Sequence, residues 1–340
     1  MSPSAIDPAP LMTTGTADAM TLALRKTLTS ESTPLAKRFR ALFSLKHLAA
    51  QNPATSQTVP AIEAIAAALG SPSALLKHEL AYCLGQSGKQ EAVPHLRAVI
   101  EDRGEDAMCR HEAAEALGAL GDMGSLSLLK GRRDDQTEEE VVRETCEIAI
   151  ERIEWEHSEA RKAEKLKQSD FASIDPAPPM AETQNVPPSI PELERTLMDA
   201  NLPLFKRYRA MFALRDLSSP PDLPTAVPAI QALAKGLKDP SALFRHEIAF
   251  VFGQLSHPAS IPSLVATLSD VKEASMVRHE AAEALGSLGD EDGVEDVLRR
   301  FVDDPEQVVR DSIVVALDMA EFERNGEVQY ATIPSEVAAG

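Results

Sequence analysis

Four of the eight histidines in this 340-residue sequence are followed directly by glutamate: His78-Glu79, His111-Glu112, His246-Glu247 and His279-Glu280. Imidazole nitrogens and carboxylate oxygens are the ligands that iron, manganese and zinc share. The spacing is regular, with 33 residues between the members of each pair and 168 between the pairs. On a helix, about 100° per residue turns His78 roughly 160° away from Leu80 on the apolar stripe, and His111 sits likewise relative to Ala113 and Leu117. An isolated His-Glu on such a face is ordinarily a solvated polar pair. Repetition argues against that reading. The positions equivalent to the histidines in the outer repeats of each half are Arg40, Glu144, Arg209 and Asp311, so the fold does not require histidine there. Neighbouring positions have diverged between the halves (Tyr82 against Phe250, Ser87 against Leu255, Met123 against Glu291), whereas the four dipeptides have not.

Adjacent helices pack about 8–10 Å apart, so His78 and His111 can converge on one ion at metal–nitrogen distances of about 2 Å, with Glu79 and Glu112 adding oxygen. His246, Glu247, His279 and Glu280 offer the same set again. Two such halves brought face to face would assemble two metals in one cleft. A set without thiolate suits iron or manganese, and zinc held by two histidines and a carboxylate stays open. Glu115 and Glu283, four residues after the second histidines, share their helical face; they are expected to orient an imidazole or form an acidic rim. Tyr82 and Phe250 are expected as walls. His47, His95, His157 and His257 have no acidic residue following them and receive no role.

The elements that must carry these residues show up when the chain is compared with itself. Leu75 to Gln86 matches Leu243 to Gln254, Arg110 to Gly118 returns unchanged as Arg278 to Gly286, and Pro34 to Phe43 matches Pro203 to Phe212. This is a tandem duplication of amphipathic segments punctuated by Pro, Gly and Asp, which predicts an all-α fold of two pseudo-symmetric halves with about four helical hairpins each. The 33-residue period, with an Ala-Leu-Gly stretch closing the second helix, resembles HEAT repeats stacked in a solenoid. The expected organisation is a disordered tail over 1–16, an N-terminal half over 17–156, a linker over 157–191 that is largely disordered around Asp175-Pro176-Ala177-Pro178-Pro179, a C-terminal half over 192–324 and a tail over 325–340.

Composition narrows the partners. A net charge of −19 disfavours nucleic acid, whose phosphates call for clustered Lys and Arg, and suits a basic protein partner. No run of 18 or more apolar residues exists, so no membrane span is expected. Three cysteines (Cys83, Cys109, Cys146) without CxxC spacing fit free thiols in a reducing, cytoplasmic setting. Phosphate-binding glycine loops, nucleophile elbows and His-Glu-x-x-His helices are absent from the sequence.

With two four-repeat halves and His-Glu in the second and third repeat of each, the chain resembles the deoxyhypusine hydroxylases, HEAT-repeat di-iron monooxygenases. The resemblance implies hydroxylation of the deoxyhypusine side chain of eukaryotic translation initiation factor 5A to hypusine, using dioxygen, two non-haem iron ions and an external reductant. It implies His78, His111 and Glu112 on one iron and His246, His279 and Glu280 on the other, with Glu79 and Glu247 engaging the cationic substrate amine or serving as ligands. A metal-free HEAT scaffold that binds a protein partner is the alternative from a different class. A zinc or manganese hydrolase is weaker, since no nucleophile motif accompanies the ligands.

Overall fold

A computed structural model describes residues 14–164, 166, 169–181 and 188–325. The N-terminal half pairs α1 (Thr14–Thr29) with α2 (Leu35–Ala49), α3 (Thr58–Ala66) with α4 (Ala74–Gln86), α5 (Val93–Glu101) with α6 (Ala107–Ala119) and α7 (Leu126–Asp134) with α8 (Glu140–Glu156). A short α9 (Glu159–Ala163) follows. The C-terminal half pairs α10 (Ile190–Met198) with α11 (Leu204–Asp216), α12 (Ala226–Lys235) with α13 (Ala242–Leu255), α14 (Ile261–Ser269) with α15 (Ser275–Gly286) and α16 (Val294–Arg299) with α17 (Gln307–Asn325). The expected four hairpins per half are present. α1 begins three residues earlier than expected, and most of both predicted tails lies outside the described residues.

Local chemistry sets where the helices start. Ser73 accepts a hydrogen bond from the Leu76 amide at 3.2 Å, Ser241 from Phe244 at 3.1 Å and Asp106 from Met108 at 2.8 Å, satisfying amide groups that a helix start leaves without partners. Pro34 and Pro203 stand immediately before α2 and α11, where a missing N–H costs nothing. Within a hairpin, a buried arginine of the second helix ties back to the end of the first. Arg38, Arg207 and Arg278 donate from Nε to the carbonyls of Leu28, Leu197 and Leu268 at 2.8, 2.9 and 3.0 Å. Arg207 and Arg278 then pair with Asp239 and Asp304 of the following repeat, so one side chain registers two hairpins. The core between the helix layers is apolar, with Leu42, Leu80, Leu117, Phe212, Phe252 and Leu285 fully buried.

The second helices of the hairpins form the inner layer, and their contacts close on themselves. α2, α4, α6 and α8 touch in sequence, α8 meets α11, α11, α13, α15 and α17 continue, and α17 returns to α2. Closure departs from the open stack that the repeat pattern suggests. Its fastenings are themselves duplicated: Ser73 donates to Asp311 at 3.2 Å and Ser241 to Glu144 at 2.7 Å, each joining one half to the other. Arg40 adds a two-pronged bond to Asp318, at 2.8 and 2.9 Å.

The segment between the halves corrects an expectation. Residues 169–181 are not loose: Pro176, Ala177 and Pro178 are buried, Asp175 pairs with Arg215, and the Met180 amide donates to the Arg209 carbonyl at 3.0 Å. The short α9 ends at Ala163, and the described residues from Glu164 to Ala181 are not helical. What composition cannot show is that the extended chain has a groove between the two halves to lie in.

Candidate metal centre

Closing the ring puts α4 and α6 opposite α13 and α15, and the faces that point away from the inter-helix core point at one another. His78 lies 5.3 Å from His111 between ring centroids, and His246 lies 5.4 Å from His279. Across the halves, His78 is 5.8 Å from His246 and 5.3 Å from His279, while His111 is 5.3 Å from His246. All four imidazoles therefore form one cluster. None is solvated: His111 and His279 are fully buried, and His78 and His246 are 4% exposed. Glu79, Glu112, Glu247 and Glu280 are buried beside them, so the structure brings together all eight residues of the four dipeptides. Six of the eight, all but His111 and His279, line with Glu115 and Glu283 a cavity of about 200 Å³ that is walled by Tyr82 and Phe250, whose rings meet edge to face at 5.8 Å.

Buried polar atoms are nearly always hydrogen-bonded. Here both ring nitrogens of His78, His111, His246 and His279, and Oε1 of Glu247, have no hydrogen-bond partner among the described residues. His78 Nε2 stands 3.3 Å from Glu112 Oε2, and His246 Nε2 stands 3.4 Å from Glu280 Oε2. Each pair is near enough to interact but is misaligned for a hydrogen bond, as expected of donor atoms aimed at a shared centre. Single ligand atoms of His78, His111 and His246 fall within 4.8 Å of one another, and so do those of His246, His279 and Glu280. Two ligands of one ion are at most about 4 Å apart, so these groups are close to a coordination sphere.

Electrostatics point the same way. Burial pushes the carboxyls of Glu79, Glu112 and Glu280 up to about 8, with Glu283, Glu280 and Glu283 respectively adding like charge. Burial, then Glu115, raises Glu247 well above the usual range, and burial, then Glu112, does the same to Glu115. Burial also lowers His111 and His279 far below an ordinary histidine, and His246 to about 3. Six carboxyls and the imidazoles of His78 and His246 thus face a cavity in which Lys46 is the one lysine or arginine among the lining residues described. A multivalent cation supplies what this set lacks, and the residues present fit one.

Glu283 matches the expected orienting role in part, with Oε1 3.6 Å from His279 Nδ1 and accepting from Ser312 at 3.1 Å. Glu115 lines the cavity without a comparable imidazole contact. Tyr82 and Phe250 are walls, as expected. Two cavity residues carried no expectation: Phe43 and Lys46, whose ammonium sits 4.5 Å from the Tyr82 ring. Phe43 closes the duplicated stretch Pro34 to Phe43 and Lys46 aligns with Arg215 just beyond it, but neither is part of a His-Glu pair.

Residues 62–151 and 228–318 match the family model for HEAT repeats. The deoxyhypusine hydroxylase of Phaeosphaeria nodorum is 72% identical over 315 residues, covering 93% of this chain and 95% of that protein. Deoxyhypusine hydroxylase of Coccidioides immitis is 75% identical over 307 residues, covering 90% and 91%. Among solved structures, human deoxyhypusine hydroxylase in complex with glycerol is similar with a TM-score of 0.78 and 43% identity, over 90% of this chain and 98% of that one.

Proposed function

This chain belongs to the deoxyhypusine hydroxylase family, and we propose that it hydroxylates the deoxyhypusine side chain of eukaryotic translation initiation factor 5A, using dioxygen, two non-haem irons and an external reductant. The observation that carries the metal is the convergence of four buried imidazoles with no hydrogen-bond partner among the described residues. In this reading His78, His111 and Glu112 hold one iron and His246, His279 and Glu280 the other. When bound, iron and dioxygen supply the oxidising power to break an unactivated carbon–hydrogen bond, which side chains alone cannot do.

The chain's own residues bind, orient and exclude water. Glu79 and Glu247 face each other's half from equivalent positions and engage the ammonium groups of a long polyamine-like side chain. Charge-assisted contacts of this kind strengthen in a cavity that excludes water. The Tyr82 and Phe250 rings press on the methylene chain between the amines. Glu283 stands 3.6 Å from Nδ1 of His279, placed to orient that ring, and itself accepts a hydrogen bond from Ser312. A metal-free scaffold is not favoured, because it would leave this many polar atoms buried at a cost with nothing in return. Cytoplasmic residence is the setting we assign, on the strength of three buried, unpaired cysteines.

The test is mass spectrometry of the deoxyhypusine-bearing factor after incubation with iron-loaded protein and reductant. We expect a gain of one oxygen atom, and about two irons per chain by metal analysis. His111→Ala and His279→Ala are each expected to lower iron content and abolish the mass gain. Unaltered iron content in both variants would refute the ligand assignment.

A further inference from the structure

Three tiers of side chains face one another between α4 and α13, which lie on opposite sides of the ring and are not neighbours in its wall. His78 and His246 form the first, with ring centroids 5.8 Å apart, and Tyr82 and Phe250, one turn further along, form the second, also at 5.8 Å. One more turn along stand Gln86 and Gln254, related by the same 168-residue offset. The segment that joins the halves bonds to both of them.

Gln86 donates to the Ile174 carbonyl at 3.0 Å and accepts from the Ile174 amide at 2.8 Å, the pair of bonds that a neighbouring β-strand would make. Gln254 donates to Ser173 Oγ at 2.9 Å and accepts from Arg215 at 2.9 Å. Asp175 takes the same guanidinium in two 2.7 Å hydrogen bonds. Arg215 is itself fully buried, 4.4 Å from the Phe171 ring and 4.8 Å from the Phe212 ring. Three consecutive residues are thus held in turn, Ser173 by the C-terminal half, Ile174 by the N-terminal half and Asp175 by the C-terminal half again. Neighbouring residues of an extended chain are about 3.3 Å apart, so this crosspiece leaves α4 and α13 little freedom to spread.

We propose that Gln86 and Gln254 are positioning residues: through residues 173–175 they hold α4 and α13 at the separation at which the two halves of the metal centre work together. This rests on the reaction proposed above, in which each half holds one iron through its own ligands. Iron occupancy is then set within a half, by His78 with His111 and Glu112 or by His246 with His279 and Glu280. The gap between the two ligand sets, and between Glu79 and Glu247, is set between the halves. Glu79 and Glu247 stand seven residues before the glutamines, on the same helical face and about 10 Å away along the axis, so a displacement at the crosspiece is carried to them by a rigid helix. A glutamine amide makes this link without adding charge beside six carboxyls.

The test separates positioning from stability. Gln86→Met, alone and combined with Gln254→Met, keeps side-chain length and removes the bonds. Arg38→Met loosens the α1–α2 hairpin away from the crosspiece and serves as the control for lost stability. Glu91→Cys and its duplicate Ala259→Cys, at exposed and half-exposed positions just beyond α4 and α13, carry nitroxide labels in the full, iron-free chain. The native Cys83, Cys109 and Cys146 are buried, and burial raises their thiols, so the label goes to the added cysteines. Pulsed EPR is expected to give a narrow distance distribution in the parent protein and in Arg38→Met, and a shifted or broadened one in the double methionine variant. Loaded with iron, that double variant should keep the iron content of the parent while kcat on the deoxyhypusine-bearing factor falls by roughly tenfold or more. An unchanged distribution in the double variant, equal broadening in Arg38→Met, or loss of iron in proportion to kcat would overturn the proposal. A distance response in a protein whose parent oxygenates nothing would support the hold on the helices and sink the reaction.

Discussion

The helix position that carries His78 and His111 in the middle repeats carries Glu144 in the last one, and Asp311 serves the second half in the same way; in the first repeats, counted from the helix starts, it falls on Phe39 and Tyr208, with Arg40 and Arg209 one residue further on. Arg40 bonds Asp318, Glu144 accepts from Ser241 and Asp311 from Ser73, each across the junction between halves, while Arg209 holds Glu164 and the carbonyls of Pro178 and Pro179. The inward face of these helices therefore fastens the ring at its ends and furnishes the centre in its middle. The arginine just before the inward position works differently, as a buried tie. Arg207 is 3% exposed and Asp239 5%, and the guanidinium also stacks 4.1 Å from Phe244. Removing one partner of such a pair strands the other charge. Arg207→Met is expected to cost about 3–5 kcal/mol of stability, read from urea denaturation. A loss below about 1 kcal/mol, typical of a surface pair, would show that the tie is dispensable.

Inner helices approach one another through glycine and alanine. A Cβ added to Gly85 on α4 would lie 2.7 Å from the Ala116 Cβ and 2.8 Å from its Cα on α6. At Gly118 it would meet the Ala149 Cα on α8 at 2.9 Å, whereas at Gly253 on α13 the nearest atoms, of Ala284, are at 3.4 Å. In an uncrowded helix Gly→Ala stabilises by about 0.8–1 kcal/mol. Gly253→Ala should keep part of that gain. Gly85→Ala forces backbone apart and is expected to destabilise by about 1–3 kcal/mol, with a loss of bound iron because α4 and α6 also set the distance from His78 to His111. Denaturation midpoints and metal analysis of the two variants separate these outcomes; equal midpoints would refute the packing argument. At this scale much was readable beforehand. Hairpin number, repeat frame and the Ala-Leu-Gly packing stretch follow from local pattern, because helical periodicity is a short-range property. Ring closure does not, since Arg40 and Asp318 are 278 positions apart and nothing local couples them. Asp175 was hidden for the same reason. It sits among prolines that read as disorder, and its partner Arg215 lies 40 positions away.

For the whole molecule, the centre draws its histidines from both halves, so an ion held there joins them. Metal that binds the folded ring and not the unfolded chain adds stability by mass action, about 2.7 kcal/mol at a hundredfold excess over its dissociation constant. Iron loading under anaerobic conditions should therefore raise the melting temperature, and a chelator should lower it again and make the ring more expanded in solution scattering. Identical melting curves with and without metal would mean that the eight buried side chains of the four dipeptides are reconciled by other means.

The pairing of each half with its counterpart has a consequence for how this site could diversify. In an assembly of two identical subunits every substitution is made twice, and the two ends of the cleft stay alike. A single continuous chain lifts that restriction. Phe39 and Tyr208, or Lys46 and Arg215, occupy matching places yet differ, and each can be altered without touching its counterpart. Joining the halves gave the molecule a front and a back.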